Sequence, residues 1–268
     1  MFAVVATFLF FEPMPALAAP KKVRLSVTQF AEQQATEAKK QEENAAKAET
    51  AAQNAMKDAE SALKAKNVTA ALEAAAAAKK AADDAASAAT LASAAAVESQ
   101  QWAYIRDPFQ PGVSQVSANK AKTSSDNAAK SAENAASSAV QAQSYANNLA
   151  TEKARQMMEE AKKQEGIVAK AEITVNNARK DGDNAWNNKN QVALSLAQAA
   201  ARYASSEAQR ASTLAKEAAM EAQAAAEKAP TEAAKKYAED ANTSAANAAD
   251  LAWKAYWSYV EVNSLQIH

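Results

Sequence analysis

The sequence predicts an all-α protein, an elongated antiparallel helical bundle with alanine-seamed coiled-coil packing. Three observations carry that expectation. Alanine, the strongest helix former, fills 78 of 268 positions, against 3 Gly and 6 Pro. Its alanines recur at alternating steps of three and four, the spacing at which coiled coils bury their seam. The few residues that break helices are gathered in short stretches between these ladders.

The elements follow in order. The run FAVVATFLFF (Phe2 to Phe11) precedes Pro13, Pro15 and the small-x-small triplet Ala16-Leu17-Ala18. This pattern predicts a cleaved secretory signal over 1–19. The competing reading is a membrane anchor, for which the run is short. The first ladder (Ala45, Ala48, Ala52, Ala55, Ala59, Ala62) places a helix over about 28–64, closed by a polar turn at Lys64–Thr69. The second, from Ala71 to Ala95, places one over about 69–105. Pro108, Pro111 and Gly112 then break the chain within RDPFQPGVSQ (Arg106 to Gln115). The third ladder, Ala128 to Ala146, places a helix over about 117–150, and a fourth segment follows over about 151–186. A turn at Asn187–Gln191, helped by Gly182, separates this from helices over about 191–228 and 231–263, whose ladders are Ala204–Ala229 and Ala241–Ala255. Pro230 suits the first turn of the last helix. Nothing breaks the chain between Leu149 and Glu152. The third and fourth segments therefore join into one helix of about 70 residues, about 105 Å long.

The chain resembles itself. Glu37–Asn67 aligns without gaps on Glu160–Asn190, an offset of 123 positions that retains EAKKQE, AKAE, KD and the closing KN. Ser131–Ala142 aligns on Ser244–Ala255 at an offset of 113. This reads as an internal duplication: two three-helix units, 20–150 and 151–268, that share the long central helix. The change of offset assigns ten extra residues to the first unit, within Arg106–Gln115. A competing topology is a single rod of three helices, each over about 100 Å, in which the stretch at Lys64–Thr69 does not break the chain and Pro230 only kinks it.

Composition bounds function. A formal net charge of −1 leaves no basic field to attract nucleic acid. Without Cys, and with one His at position 268, no nucleophile–base pair or metal-ligand cluster can be drawn. The three glycines stand apart, so no phosphate-cradling loop is present. The expectation is a non-enzymatic protein with no cofactor, no metal site and no small-molecule substrate. It is secreted or on the cell surface, and attached to a membrane only through an anchor not visible in the chain.

Large side chains are sparse enough to be placed singly. Trp186, Leu194, Trp253, Tyr256 and Trp257 are expected to gather as an apolar plug at one end, the alternative being an aromatic ligand site. Trp102, Tyr104 and Phe109 flank the connection after the second helix and could close the opposite end against Phe30. That connection could also present a binding loop, because loops on rigid scaffolds often carry recognition. Its contact residues would be Trp102, Tyr104, Arg106, Asp107, Phe109 and Gln110, directed at a host or partner protein. Asn67-Val68-Thr69 and Asn242-Thr243-Ser244 are glycosylation sequons, making Asn67 and Asn242 candidate acceptors.

In composition and in the ladders Ala45–Ala62 and Ala204–Ala229, the chain resembles the alanine-rich surface coat proteins of African trypanosomes, such as the glutamic acid/alanine-rich protein. The resemblance implies an elongated bundle standing on a membrane through a C-terminal lipid anchor. The end after Trp257 carries no such signal. The heptads also look like those of relatives of the malarial merozoite surface protein 3, which are secreted without an anchor. Three functions follow as expectations: a structural coat, an adhesion or receptor module acting through 102–115, and an ice-binding protein like the long fish type I antifreeze. Thr28, Thr36, Thr50, Thr69 and Thr90 show no regular spacing, so no flat ice-matching face can be drawn. Alanine seams pack equally well between chains, which leaves a homodimer open.

Overall fold

The computed structural model describes residues 26–104, 112–229 and 231–266. The signal-peptide reading over 1–19 and Pro230 lie outside these residues. Five helices and no strand are found among them: α1 Val27–Lys64, α2 Val68–Tyr104, α3 Val113–Asn187, α4 Gln191–Lys228 and α5 Glu232–Ser264. The third and fourth predicted segments are one uninterrupted helix. α3 has 75 residues, hence a length of about 110 Å.

Each helix start has a local cause. Ser26 opens α1 with a capping box, exchanging hydrogen bonds with Gln29. Asn67, Asn190 and Thr231 each accept from the amide three residues on, at 3.0–3.1 Å. α3 is instead preceded by Gly112, whose φ of 101° is open to glycine at little cost.

α1 and α2 pack on each other and on the first half of α3, while α4 and α5 pack on each other and on the second half. The result is two three-helix bundles end to end along one shared helix, and not three rod-length helices. The two turns that settle this are alike. Lys66 and Lys189 both have positive φ, 54° and 51°. In each turn the lysine amide donates to the oxygen three residues back, and the next asparagine amide to the oxygen five back. All these positions map onto one another at the offset of 123, which the sequence alignment had suggested.

The third pair of segments needs a correction. Asn127 and Asn134 donate to Glu42 and Glu49, each 85 positions earlier. The matching contacts of the second bundle, Asn247 to Glu165, Ser258 to Asn176 and Arg179 to Glu261, span 82. With α1 set on α3 at 123, this difference of three sets the first half of α3 on α5 at 120. Ser124 and Ser138 then fall on Ser244 and Ser258, and all four are buried. The sequence offset of 113 was one heptad out, because an alanine repeat matches itself equally well after any shift of seven. The first bundle's connection is therefore three residues longer by register, not ten.

The seam is alanine almost throughout. Layers such as Ala45, Ala88, Ala92 and Ala128, or Ala52, Ala81, Ala85 and Ala135, contain no larger side chain. Each buried methyl contributes only about 0.8 kcal/mol, so the structure depends on many layers and on helix propensity. Buried polar groups are satisfied within the bundle. Ser99 donates to Ala31 O across to α1 at 3.1 Å, and no buried side-chain N or O among the described residues lacks a partner. Gln41 and Gln164, equivalent at 123 and both buried, donate to Glu37 and Glu160 at 2.7 and 2.6 Å. Gly182 is not a turn residue. It is buried within α3, where an added Cβ would meet Val262 Cγ1 at 3.3 Å, a tight contact.

At the middle of the rod the two bundles meet. Thr151 of α3 shares a hydrogen bond with Thr231, the cap of α5, at 2.9 Å. Lys153 pairs with Glu221 of α4 at 2.8 Å. Arg155 grips Glu152 with two donors, Nε at 2.8 Å and Nη2 at 2.6 Å. That bond, helped by Gln156, lowers the Glu152 pKa to about 2; partial desolvation opposes it, and the charges of Arg155 and Lys66 add to it. A depressed carboxylate pKa contributes stability that is present above the unfolded value and lost as pH falls toward the folded one. Loosening here is thus expected between about pH 4.5 and 2. In Arg155→Met, the Glu152 side-chain titration followed by NMR should move up toward the ordinary carboxylate range. An unchanged midpoint would show that Arg155 does not hold it.

Candidate functional site

Two groups of aromatic rings in mutual contact are found among the described residues. The first is at the free end of the first bundle. Trp102 of α2 stacks on Phe30 of α1, ring centroids 4.8 Å apart and 16° from parallel. This is the end-closing contact expected of the pair. Tyr104, two residues on, is 90% exposed and closes nothing. Of the proposed contact residues in the following connection, Arg106, Asp107, Phe109 and Gln110 lie outside the described residues. Trp102 and Tyr104 are in the last turn of α2.

The second group replaces the expected plug. Leu194 is buried, but Trp186, Trp253, Tyr256 and Trp257 are not. Trp186 lies at the far end, where its Nε1–H donates to Gln266 O at 2.9 Å. It ties Gln266 to α3 and does not join the other rings. Trp253, Tyr256 and Trp257 form a separate cluster on the outside of α5, 59%, 36% and 48% exposed. Trp253 and Tyr256 lie 6.0 Å apart at 25°, and Trp257 meets both edge-on at 5.5 and 5.9 Å. The physical reason is helix phase. The buried seam residues are Ala252 and Ala255, and each aromatic sits one or two positions past one of them, about 100° or more round the helix. The ladder Ala241–Ala255 already held this information; the size of the side chains obscured it.

Across a groove of about 580 Å³ the cluster faces Gln209, Ser212 and Thr213 of α4. A second groove, about 1010 Å³, runs between α1 and the start of α3 and has charged banks that include Lys39, Glu43 and Lys120. Of the two candidate acceptors for glycosylation, Asn67 is exposed in the first turn, where its Oδ1 caps α2. Asn242 is exposed on α5, well inside the helix. Among the described residues there is no group of three or more His, Cys, Asp or Glu that could hold a metal ion, and no helix is long and apolar enough to cross a membrane.

No family model matches the chain, and no curated protein matches it. Among solved structures, a DHF58 filament is similar at 18% identity, covering 87% of this chain and 95% of that one, with a TM-score of 0.23. A score that low carries no inference about a shared fold.

Proposed function

We propose that the protein is a non-enzymatic helical scaffold, exported to the cell surface or beyond, whose work is spacing and shielding. One observation carries the reading most: α3 runs unbroken through both bundles. A helix of about 110 Å, braced on each half by two others, resists bending and holds whatever is at its two ends apart. The alanine seams support the same reading. Small side chains let helix axes approach closely, which gives a thin shaft with little bulk. The apolar run at Phe2–Phe11 followed by Ala16-Leu17-Ala18 supports export, and the likeness to alanine-rich surface coats agrees with both.

The test is surface labelling. Intact cells that make the protein are treated with a membrane-impermeant amine reagent, which its many exposed lysines should take up. Labelling of the protein on intact cells, or its recovery from the medium, is the expected result. Labelling only after lysis would end the surface reading.

A further inference from the structure

The aromatic cluster on α5 is not needed by the fold, and the molecule supplies its own control. At the register fixed by the inter-helix contacts, Trp253, Tyr256 and Trp257 correspond to Glu133, Ala136 and Ser137 of the first bundle. The opposite bank, Gln209, Ser212 and Thr213, corresponds to Ala86, Ala89 and Thr90. The same scaffold thus builds this face once from small or charged residues and once from three large rings and three polar side chains, of which only Thr213 has a like counterpart, Thr90. Exposing three aromatic rings is unfavourable to solubility unless something covers them.

What covers them is constrained by size and charge. With exposures of 59%, 36% and 48%, the three rings offer about 350 Å² per chain, taking about 250 Å² for each whole side chain. Pairing two such patches would bury about 700 Å², well short of the roughly 1,200 Å² at which specific protein interfaces begin. The rings alone fall short of a stable dimer interface, whereas a small ligand fits the groove they line. The residues that line it include no Lys, Arg, Asp or Glu. Lys254, on the same helix, is tied to Asp250 at 2.7 Å. A single-stranded nucleic acid, which needs a cationic groove beside its stacking rings, does not fit.

An uncharged lining of this kind favours a neutral ligand, with an apolar face for the rings and hydrogen-bonding groups for Gln209 and Ser212, the Thr213 hydroxyl being already bonded to Gln209 O. The Gln209 amide brings two donors and an acceptor, and the Ser212 hydroxyl both donates and accepts; neither is engaged among the described residues. A sugar ring has this dual character: C–H bonds on its faces, hydroxyls on its rim. We propose that the α4–α5 groove binds a neutral glycan. It stacks on Trp253, with Trp257 standing edge-on beside it as a side wall, and is hydrogen-bonded by Gln209 and Ser212. The mutual contacts of the rings hold them in place before binding, which reduces the entropy lost on association.

The test uses the full chain and five insoluble neutral polysaccharides: cellulose, chitin, β-1,3-glucan, mannan and starch. The protein should be retained on at least one. Trp253→Ala and Trp257→Ala should each weaken that retention by about tenfold, with circular dichroism unchanged because both side chains are on the surface. Trp186→Phe, a change of exposed tryptophan elsewhere, should leave retention intact. Failure to bind any of the five, or retention equal in all variants, overturns the proposal. So does a concentration-dependent dimer that Trp253→Ala abolishes, since a second copy would then be the occupant.

Discussion

Asn148→Pro is expected to cost about 3 kcal/mol and to lower the unfolding temperature by about 6–12 °C. Asn148 is exposed, next to the buried pair Leu149 and Ala150 at the middle of α3. Its side chain contributes little, so the effect comes from the backbone. Proline removes the amide that bonds the carbonyl of Ser144 and sets its ring against that oxygen. Leu149 belongs to the core of the first bundle and Ala154 to that of the second. A kink between them also misaligns the bundles, so the largest dimension in solution should shorten. If α3 were two helices that merely abut here, proline would fall in a connection and both effects would be small.

Ala85→Leu is the second large effect. Ala85 is fully buried, in a layer with Ala52, Ala81 and Ala135. Leucine adds apolar volume, and in a loosely packed core it would stabilise. In an alanine layer the helix axes must separate to admit it, which disturbs neighbouring layers as well. Overpacking of this kind costs about 1–3 kcal/mol, so the denaturation midpoint of the full chain should fall. The equivalent layer of the second bundle has Val175 in place of Ala52, with Ala204, Ala208 and Ala255. Ala52→Val copies a solution the scaffold already contains and should be mild, below about 1.5 kcal/mol. A higher midpoint for Ala85→Leu would mean that the seam holds unfilled space.

These two substitutions also mark what was legible in the sequence. Most helix boundaries, the unbroken α3 and the turns within Lys64–Thr69 and Asn187–Gln191 could be read, because breakers are rare and the Lys-Asn pairs of the two turns carry real identity; α3 however begins at Val113, four residues before the expected 117, directly after Gly112. The register of α5 could not. Ser131–Ala142 and Ser244–Ala255 are matched largely by alanine, and an alanine heptad gives no way to choose between shifts of seven. Only contacts between helices, Asn134 with Glu49 against Asn247 with Glu165, distinguish 120 from 113. The aromatic face was misplaced for a different reason. Apolar bulk suggests burial, yet the position of Trp253 just after the seam residue Ala252 already turned it outward. The contact of Trp102 with Phe30 was legible because the two lie at the same end of an antiparallel pair.

The claim on which the rest depends is that one helix runs through both bundles. Small-angle X-ray scattering of the purified chain tests it most directly. A shared α3 of 75 residues requires a largest dimension of at least about 110 Å, with a cross-section no wider than three packed helices. A largest dimension near 60 Å, as expected if the two bundles fold back side by side, would contradict it.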